Sequence, residues 1–172
     1  ANCHVYPVIA GYVGGDTVAG LLATNFEELE SPSLFIDIGT NGELVVHARG
    51  RLVATSCAAG PAFEGAGIMH GLRAATGAIE AIHIEEDLLF KTIDGAAALG
   101  ICGSALIDIV AELLRLGILL PSGELLKAED APDELPDAVR RRIRRYRDQT
   151  IFAIADANDT ATGQPIAIYQ SD

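Results

Sequence analysis

The chain has 172 residues and a formal net charge of −12, and 49% of its residues are apolar while only 5% are aromatic. This length suits one domain with a sizeable core or one lobe of a larger protein, and a core of Ala, Leu, Ile and Val is typical of α/β folds. The acidic balance disfavours nucleic acid and anionic membranes as partners, and no apolar run approaches the ~20 residues of a membrane span or marks a signal peptide. We expect a soluble, cytoplasmic α/β protein.

Cysteine and histidine show no metal-binding pattern. Cys3, Cys57 and Cys102 contain no Cys-x-x-Cys spacing, which argues against a disulfide framework, a zinc site or a self-contained iron–sulfur cluster. No spacing such as His-Glu-x-x-His is present among the histidines, which are His4, His47, His70 and His83. We expect free buried thiols and no transition metal.

The N-terminal segment predicts a strand and then a helix. Residues 5 to 13 form an apolar run typical of a strand, and Gly14-Gly15 ends it. Asp16 and Thr17 are natural N-cap residues for a helix that ends before Asn25. A pair of glycines before a helix can bind phosphate, although close packing between helix and strand is the more common reason for it.

The stretch from Leu34 to Gly60 predicts three antiparallel strands. Its first apolar run stops at Asp37, and Asn41-Gly42 is a strong hairpin signal; a second turn falls at Arg49-Gly50. A tight turn leaves backbone N–H groups pointing outward, and such a concavity binds anions such as phosphate. We therefore expect a phosphate site at the Asn41-Gly42 reversal, beside Asp37. The alternative is an ordinary meander whose aspartate caps a turn.

Glycines are frequent in the next segment. Residues 62 to 72 predict a short helix in spite of three glycines. Glycines there permit close approach, so Glu64 and Gly65 either edge a ligand site or pack tightly on the sheet. The spacing matches neither Gly-x-Gly-x-x-Gly nor a P-loop, which disfavours those two nucleotide folds.

A strand pair at residues 78 to 84 and 88 to 93 leads to a Gly-rich turn and a helix over 105 to 116. Ser104 is placed to cap this helix, and Gly117 ends it. The glycines of the turn offer a surface that a nucleotide can approach closely, although packing explains such glycines about as often. The apolar face of the helix comprises Leu106, Ile107, Val110, Leu113 and Leu114.

The C-terminal part contains most of the basic charge. Residues 121 to 136 predict a polar loop, residues 137 to 148 a helix with six outward-facing arginines, and residues 151 to 155 and 165 to 169 a final strand pair. Without the six arginines the chain has 6 basic against 24 acidic residues, or −18. No second basic element supports nucleic-acid binding, so we expect a solvated face or one paired with the chain's own acidic residues.

Four motifs in combination resemble the C-terminal domain of reductive activators of corrinoid proteins. They are IAGYVGGD at 9 to 16, IDIGTNGE at 36 to 43, CAAGPAFEG at 57 to 65 and GICGS at 100 to 104. The resemblance covers nearly the whole chain. It implies one lobe of an actin-like (ribonuclease H-like) ATPase fold, in the superfamily of actin, the sugar kinases and the heat-shock chaperones. Such a lobe is α/β, with a mixed sheet, a three-stranded antiparallel meander and flanking helices.

The resemblance also implies a nucleotide site for ATP and Mg²⁺. The residues that match the second phosphate motif are Asp37, Gly39, Thr40, Asn41 and Gly42. The residues that match the adenosine motif are Gly100, Gly103 and Ser104. Asp37 is the expected magnesium ligand and acts through water, and no catalytic residue is assigned.

Members of the family use ATP to drive an electron onto the cobalt of a corrinoid protein, and they carry a two-iron two-sulfur ferredoxin domain. The resemblance therefore implies a corrinoid protein as partner, is compatible with a homodimer, and puts the cluster in an N-terminal domain outside this sequence. We expect a fragment with residues 1 to 25 as the tail of the first lobe. Residues 33 to 172 form the second lobe, incomplete at its C-terminus, with an insertion at about 121 to 148. The fragment should bind nucleotide weakly and hydrolyse none.

Two alternative functions fit the same fold. A small-molecule kinase needs a carboxylate base near the transferred phosphoryl group, for which Asp16 and Glu64 are the candidates. A non-catalytic interaction module would keep the fold without the ligand. A phosphorylated product would favour the kinase, whereas no stabilisation by Mg·ATP would favour the interaction module.

Overall fold

The computed structural model describes residue 3 and residues 5 to 172 and divides the chain into two compact units, Ala1–Gly60 and Pro61–Asp172. His4 and the first two residues of the expected first-lobe tail lie outside the described residues. The two compact units meet between Gly60 and Pro61, which does not test the lobe boundary expected between residues 25 and 33. That boundary stays a prediction.

The first helix of the first unit, α1 (Gly15–Ala23), begins one to two residues before its expected caps. Gly14 is the N-cap residue. Asp16 lies in the first turn, where its Oδ1 accepts a hydrogen bond from the Thr17 N–H at 2.9 Å. A carboxylate in this position stabilises the helix through the macrodipole.

The strand predicted over residues 5 to 13 is wrong. These residues form turns and irregular backbone, and only an isolated antiparallel bridge joins Ala10 to Val13. Pro7 lacks the N–H that a sheet ladder needs, and Gly11 has no side chain to pack, so the segment forms no regular strand.

Three antiparallel strands follow as predicted: β1 (Ser33–Ile38), β2 (Asn41–Ala48) and β3 (Arg51–Ala58), in the order β1-β2-β3. Arg49 and Gly50, between β2 and β3, have φ values of 53° and 67°. Positive φ at both central residues is what a type I′ hairpin turn requires. The second predicted turn is therefore confirmed.

The first reversal is not at Asn41-Gly42, contrary to the prediction. The chain turns at Gly39-Thr40, and Asn41 and Gly42 already belong to β2, opposite Ala58 and Cys57 of β3. Neither residue has the positive φ of a type I′ turn. Pairing with β3 on the other side of β2 holds both residues in extended backbone, and this overrides the local turn signal.

One face of this meander packs against the N-terminal elements. Phe26 begins a short 3₁₀ helix, Phe26–Glu28, and its buried ring meets the ring of Phe35 edge to face at 5.9 Å between centroids. A Cβ on Gly20 of α1 would lie 2.7 Å from the Phe35 ring, so a larger residue there would require the ring to move. The segment between α1 and β1 therefore supplies a core aromatic residue.

The opposite face of the meander is apolar and exposed. Because side chains alternate along a strand, every second residue of β1 lies on this face. Its exposed apolar residues are Leu34, Ile36, Ile38, Val46 and Val53, each with 44% to 60% of its surface accessible.

The second unit begins with close backbone packing and not with the predicted helix over 62 to 72. A 3₁₀ turn, Ala62–Glu64, stops at Gly65, whose φ is 85°. A Cβ on Gly71 would lie 2.2 Å from the carbonyl oxygen of Gly65. Close backbone packing explains Gly65 and Gly71, whereas a Cβ on Gly67 would have no neighbour within 4 Å. A ligand site edged by Glu64 and Gly65 stays a prediction.

A mixed sheet and a helix form the centre of the second unit. β4 (Ala78–Ile84) pairs antiparallel with β5 (Leu88–Thr92), as predicted, and parallel with β6 (Gly100–Ile101). α2 (Gly103–Arg115) follows β6 and ends at Gly117, whose φ of 68° fits the expected C′ glycine.

The buried face of α2 differs from the predicted one. Ala105, Ile109 and Leu113 are buried at a spacing of four residues. Ile107, Val110 and Leu114 are exposed although they are apolar. The sequence contains more apolar residues than one helix face can bury, so apolarity alone did not identify the core stripe.

The last sheet contains an unexpected strand. Only α3 (Asp137–Arg140) of the long helix predicted over 137 to 148 forms, and the arginine-rich half is β7 (Ile143–Tyr146). β7 pairs with β8 (Gln149–Ala155), which pairs with β9 (Ile166–Tyr169); both pairings are antiparallel. The predicted helix is wrong because the buried β8 needs a partner strand, and this tertiary pairing overrides the helix propensity of arginine. The expected insertion at about 121 to 148 stays a prediction.

The core of the second unit is aliphatic, as the composition predicts. Its most buried side chains include Ile79, Ile84, Ile101, Ile109, Leu113, Ile118, Phe152 and Ile154. All three cysteines are free, as predicted, but Cys3 and Cys57 are exposed and only Cys102 is buried. Among the described residues no helix is both long and apolar enough to cross a bilayer.

Candidate functional site

The turn between β1 and β2 is tied to the end of β3. The Gly39 N–H donates to the Asn41 carbonyl at 3.0 Å, which closes the turn. The Thr40 carbonyl accepts hydrogen bonds from the N–H groups of Ala59 and Gly60, at 3.1 and 2.9 Å. These bonds hold the turn at one edge of the sheet, so its surface is preorganised.

Gly39 leaves open space above this turn. A Cβ at this position would have a single neighbour within 4 Å, the Asn41 carbonyl oxygen at 3.5 Å, which is an ordinary contact. Its φ is not in the left-handed region. Neither packing nor backbone conformation in the described residues requires glycine here, so the turn leaves room for close approach of a ligand.

Two carboxylates face each other below the turn. Asp37 lies directly opposite Glu43 across the β1–β2 pair, and Glu43 lies opposite Ser56 of β3. The Ser56 hydroxyl donates to Glu43 Oε1 at 2.9 Å. Like charges directly across an antiparallel pair repel each other, and a cation between them relieves the repulsion.

Glu43 was not among the predicted site residues. A reversal at Asn41-Gly42 would have placed Val46 opposite Asp37, so the wrong turn hid the carboxylate pair. Residues equidistant from the centre of a hairpin turn face each other, so a three-residue turn centred on Thr40 would have identified it.

Asp37 and Glu43 fit a hydrated magnesium ion. Mg²⁺ keeps several waters and binds one or two carboxylates together with phosphate oxygens. Among the described residues there is no group of three or more His, Cys, Asp or Glu side chains that could hold a metal ion. The pair therefore suits an ion that arrives with a phosphate, not a metal site built by the protein alone.

The glycines of the second predicted motif have a packing role. A Cβ on Gly100 would lie 2.8 Å from the His70 carbonyl oxygen, and one on Gly103 would lie 2.5 Å from that of Phe63. Both glycines therefore let residues 62 to 72 lie against the start of α2. Their predicted contact with adenosine stays a prediction.

Ser104 does not cap α2. Cys102 is the N-cap residue, and the Ser104 hydroxyl donates to the Glu80 carbonyl at 2.6 Å. This bond ties the first turn of α2 to β4. A role in nucleotide binding would require the hydroxyl to accept a further hydrogen bond, which its second lone pair allows.

The predicted site residues fall into two local groups. Those of the phosphate motif lie together in the β1–β2 hairpin of the first unit: Asp37, Gly39, Thr40, Asn41 and Gly42. Those of the adenosine motif lie together where β6 leads into α2 in the second unit: Gly100, Gly103 and Ser104.

Residues 31 to 172 match the family model described as the C-terminal domain of RACo, the ASKHA domain. The corrinoid activation enzyme RamQ of Eubacterium limosum is 37% identical over 167 residues, which cover 96% of this chain and 28% of that protein. The Co(II) methylated amine-specific corrinoid protein reductase of Methanosarcina barkeri is 31% identical over 156 residues, which cover 73% of this chain and 29% of that protein.

A solved structure has the same fold. The reductive activator for corrinoid,iron-sulfur protein superposes with a TM-score of 0.80 and 41% sequence identity, over 98% of this chain and 26% of that chain. This chain therefore spans less than a third of the length of each of these relatives.

Proposed function

This chain belongs to the family of the C-terminal ASKHA domain of RACo, and from that premise we propose that it is part of the nucleotide-binding machinery of an ATP-dependent reductive activator of a corrinoid protein. The relatives support the corrinoid part of the proposal, because their names describe corrinoid activation or reduction of a corrinoid protein. The sequence resemblance supports the nucleotide part, because residues of the β1–β2 hairpin match a phosphate motif of the family.

The open turn at Gly39 is the observation that carries the proposal. A glycine that neither packing nor backbone conformation requires, on a turn pinned by three hydrogen bonds, is suited to contact with phosphate oxygens. Thr40, Asn41 and Gly42 border the same surface. The Gly39 N–H is engaged within the turn, so Gly39 contributes space and not a hydrogen bond.

Asp37 and Glu43 would hold the magnesium ion of the nucleotide. When bound, Mg²⁺ neutralises charge on the phosphates and fixes their orientation. The two carboxylates supply oxygen ligands, directly or through water, and the Ser56 hydrogen bond restrains the Glu43 side chain. Gly100, Gly103 and Ser104 would contact the adenosine, which rests on their match to the family motif.

In the longer protein, nucleotide hydrolysis would drive a change between two conformational states. Hydrolysis would alter how the nucleotide is held and thereby the affinity for the corrinoid protein, since a switch acts only through different binding in its two states. A ferredoxin-type cluster elsewhere in the protein would supply the electron. None of the three relatives described above is named as a kinase, and the Asp16 carboxylate already accepts a hydrogen bond in the first turn of α1.

The test compares two glycine substitutions in turns of one sheet. Gly39→Ala adds a methyl group where the protein has room, so the chain should fold normally but lose at least about tenfold in affinity for Mg·ATP, or ~1.4 kcal/mol. Gly50→Ala, at a φ of 67°, should cost about 1 kcal/mol of folding stability and leave the affinity unchanged. A Mg·ATP titration followed by NMR chemical shifts measures both, together with urea unfolding.

Two results would contradict the proposal. One is equal affinity of Gly39→Ala and the unsubstituted chain. The other is a set of shifts that leaves the amides of residues 37 to 43 unperturbed at saturating Mg·ATP. Either result would show that the phosphate site does not lie in this hairpin.

A further inference from the structure

Two of the six clustered arginines have structural roles. The Arg140 guanidinium donates to three carbonyls of the loop at residues 128 to 132. Arg142 contacts Asp87 at 2.6 Å and donates to carbonyls of β8. Their charges are used within the fold, where they satisfy loop and strand carbonyls.

Three of the other four arginines, Arg144, Arg145 and Arg147, face solvent on β7 and the turn that follows it. Arg144 forms an ion pair with Asp156 at 3.0 Å. The side chain of Arg145 is 77% exposed, and its ion-pair partner, Asp148, is 4.0 Å away and fully exposed. A pair so exposed contributes little, because water and salt screen it. The charge of Arg145 is therefore available to another molecule.

Arg147 and Tyr146 extend the basic surface. The Arg147 guanidinium lies over the Tyr146 ring, 5.3 Å from its centroid. The tyrosine is itself 44% exposed. An exposed aromatic ring beside arginines is a typical composition for the centre of a protein interface.

A cleft runs beside this surface. It lies between the loop at residues 127 to 129 and the hairpin of β7 and β8, and it has a volume of about 370 Å³. Three cations line it, Lys127, Arg144 and Arg145, against two carboxylates, Glu129 and Asp148. Cations outnumber carboxylates here, whereas outside the six arginines the chain has 24 acidic residues and 6 basic ones.

The position of β7 leaves it accessible to a partner. β7 is one of the two outer strands of the sheet β7-β8-β9. Arginines on an edge strand repel a second copy of the same strand and attract a chain of opposite charge. The arrangement therefore selects against self-pairing of β7 and in favour of an acidic partner.

We propose that the arginine hairpin, defined as β7, β8 and the turn at Arg147-Asp148, with its adjoining cleft, is a docking surface for an acidic segment of a partner protein. Carboxylates of that segment bind Arg145, Arg147 and Lys127. Nucleic acid is a poorer ligand, because a long polyanion would extend from this small surface over the acidic remainder of the chain. The proposal is independent of the nucleotide site.

The experiment measures binding of a fluorescein-labelled oligoglutamate peptide by anisotropy on the full chain. Lys127→Glu combined with Arg145→Glu should weaken binding by at least about tenfold, because two attractive charges become repulsive. The matched control, Arg73→Glu together with Arg51→Glu, changes the net charge equally at exposed sites outside the hairpin and should weaken binding by less than about threefold. Circular dichroism confirms that all variants remain folded.

Four outcomes would overturn the proposal. The first is no saturable binding of the peptide by the unsubstituted chain, and the second is an equal loss in the control variant. The third is tighter binding of an oligothymidine of the same charge, which would indicate a nucleic-acid surface. The fourth is self-association that the Lys127→Glu and Arg145→Glu changes abolish while peptide binding persists, which would make this face an interface between copies of the chain.

Discussion

Gly39, in the turn between β1 and β2, and Gly103, at the start of α2, differ in what requires a glycine. At Gly103 the nearest atom to an added Cβ is the Phe63 carbonyl oxygen at 2.5 Å, so the fold itself demands a glycine. At Gly39 the corresponding distance is 3.5 Å, and the backbone tolerates any L-residue. A glycine that the fold does not need is better evidence for a ligand than one that it does, and this is why the phosphate motif carries more of the functional argument than the adenosine motif.

Removing one of the facing carboxylates of β1 and β2 should have opposite effects on folding stability and on Mg²⁺-dependent ATP binding. Glu43→Gln should raise the free energy of unfolding without magnesium by roughly 0.2–1 kcal/mol, because it removes a cross-strand repulsion while the amide oxygen can still accept the Ser56 hydrogen bond. The same change should weaken Mg²⁺-dependent ATP binding. Urea unfolding with and without Mg·ATP measures both effects.

Glu30→Gln serves as the control for this prediction, because it removes one exposed carboxylate from the segment before β1. It should change neither quantity appreciably. Destabilisation by Glu43→Gln in the absence of magnesium would show that Asp37 and Glu43 do not repel each other, and the argument for a cation between them would then fail.

Among the elements, α2 and β4 are joined by a charged network at the surface. His83 Nδ1 lies 2.8 Å from Glu112 Oε1 of α2, and its Nε2 lies 3.2 Å from Glu85. The Arg115 guanidinium also contacts Glu112. Hydrogen bonds to Glu112 and Glu85 raise the pKa of His83 above its usual 6.5, because they favour the imidazolium.

The network gives folding stability a specific pH dependence. Because the folded pKa of His83 is raised, its contribution is fully present below pH 6.5 and is lost as the pH rises through the folded pKa. The thermal midpoint should therefore fall over this interval, and His83→Gln should flatten this part of the profile. An unchanged profile in His83→Gln would assign the pH dependence to another group. NMR titration of the imidazole measures the pKa directly.

At the scale of the whole molecule, the chain consists of two units of unequal size, and it spans less than a third of its relatives. Its phosphate-motif residues lie in one unit and its adenosine-motif residues in the other. The net charge of −12 is likewise uneven, with half of the basic residues clustered in the arginine hairpin and just before it. The uneven charge and the division of the motif residues between two units are both compatible with a chain that is one segment of a longer protein.

The whole chain should therefore bind Mg·ATP weakly, with a Kd above roughly 100 µM, or less than about 5.5 kcal/mol of binding free energy. It should release no phosphate above background in a steady-state assay. Both expectations rest on the proposed function, because this chain spans less than a third of the length of its relatives and would supply only part of the proposed nucleotide site. Tight binding or steady turnover by the chain alone would contradict them.

The sequence by itself determined the elements whose signals are local. The β4–β5 hairpin, helix α1, the Arg49-Gly50 turn and the C′ glycine at Gly117 were all predicted, because turn residues, hydrophobic periodicity and caps act over a few neighbouring residues. The family motifs were readable for the same reason, since each is a short run of the chain. The α/β class followed from composition and from these local patterns.

Only the tertiary structure decided which partner each element meets. The third strand of the meander holds Asn41 and Gly42 in β2 and moves the turn to Gly39-Thr40, and this register places Glu43 opposite Asp37. In the same way β8 draws the arginine-rich segment into a strand. These outcomes depend on contacts between residues distant in the chain, whose energies exceed the propensity differences that a local pattern records.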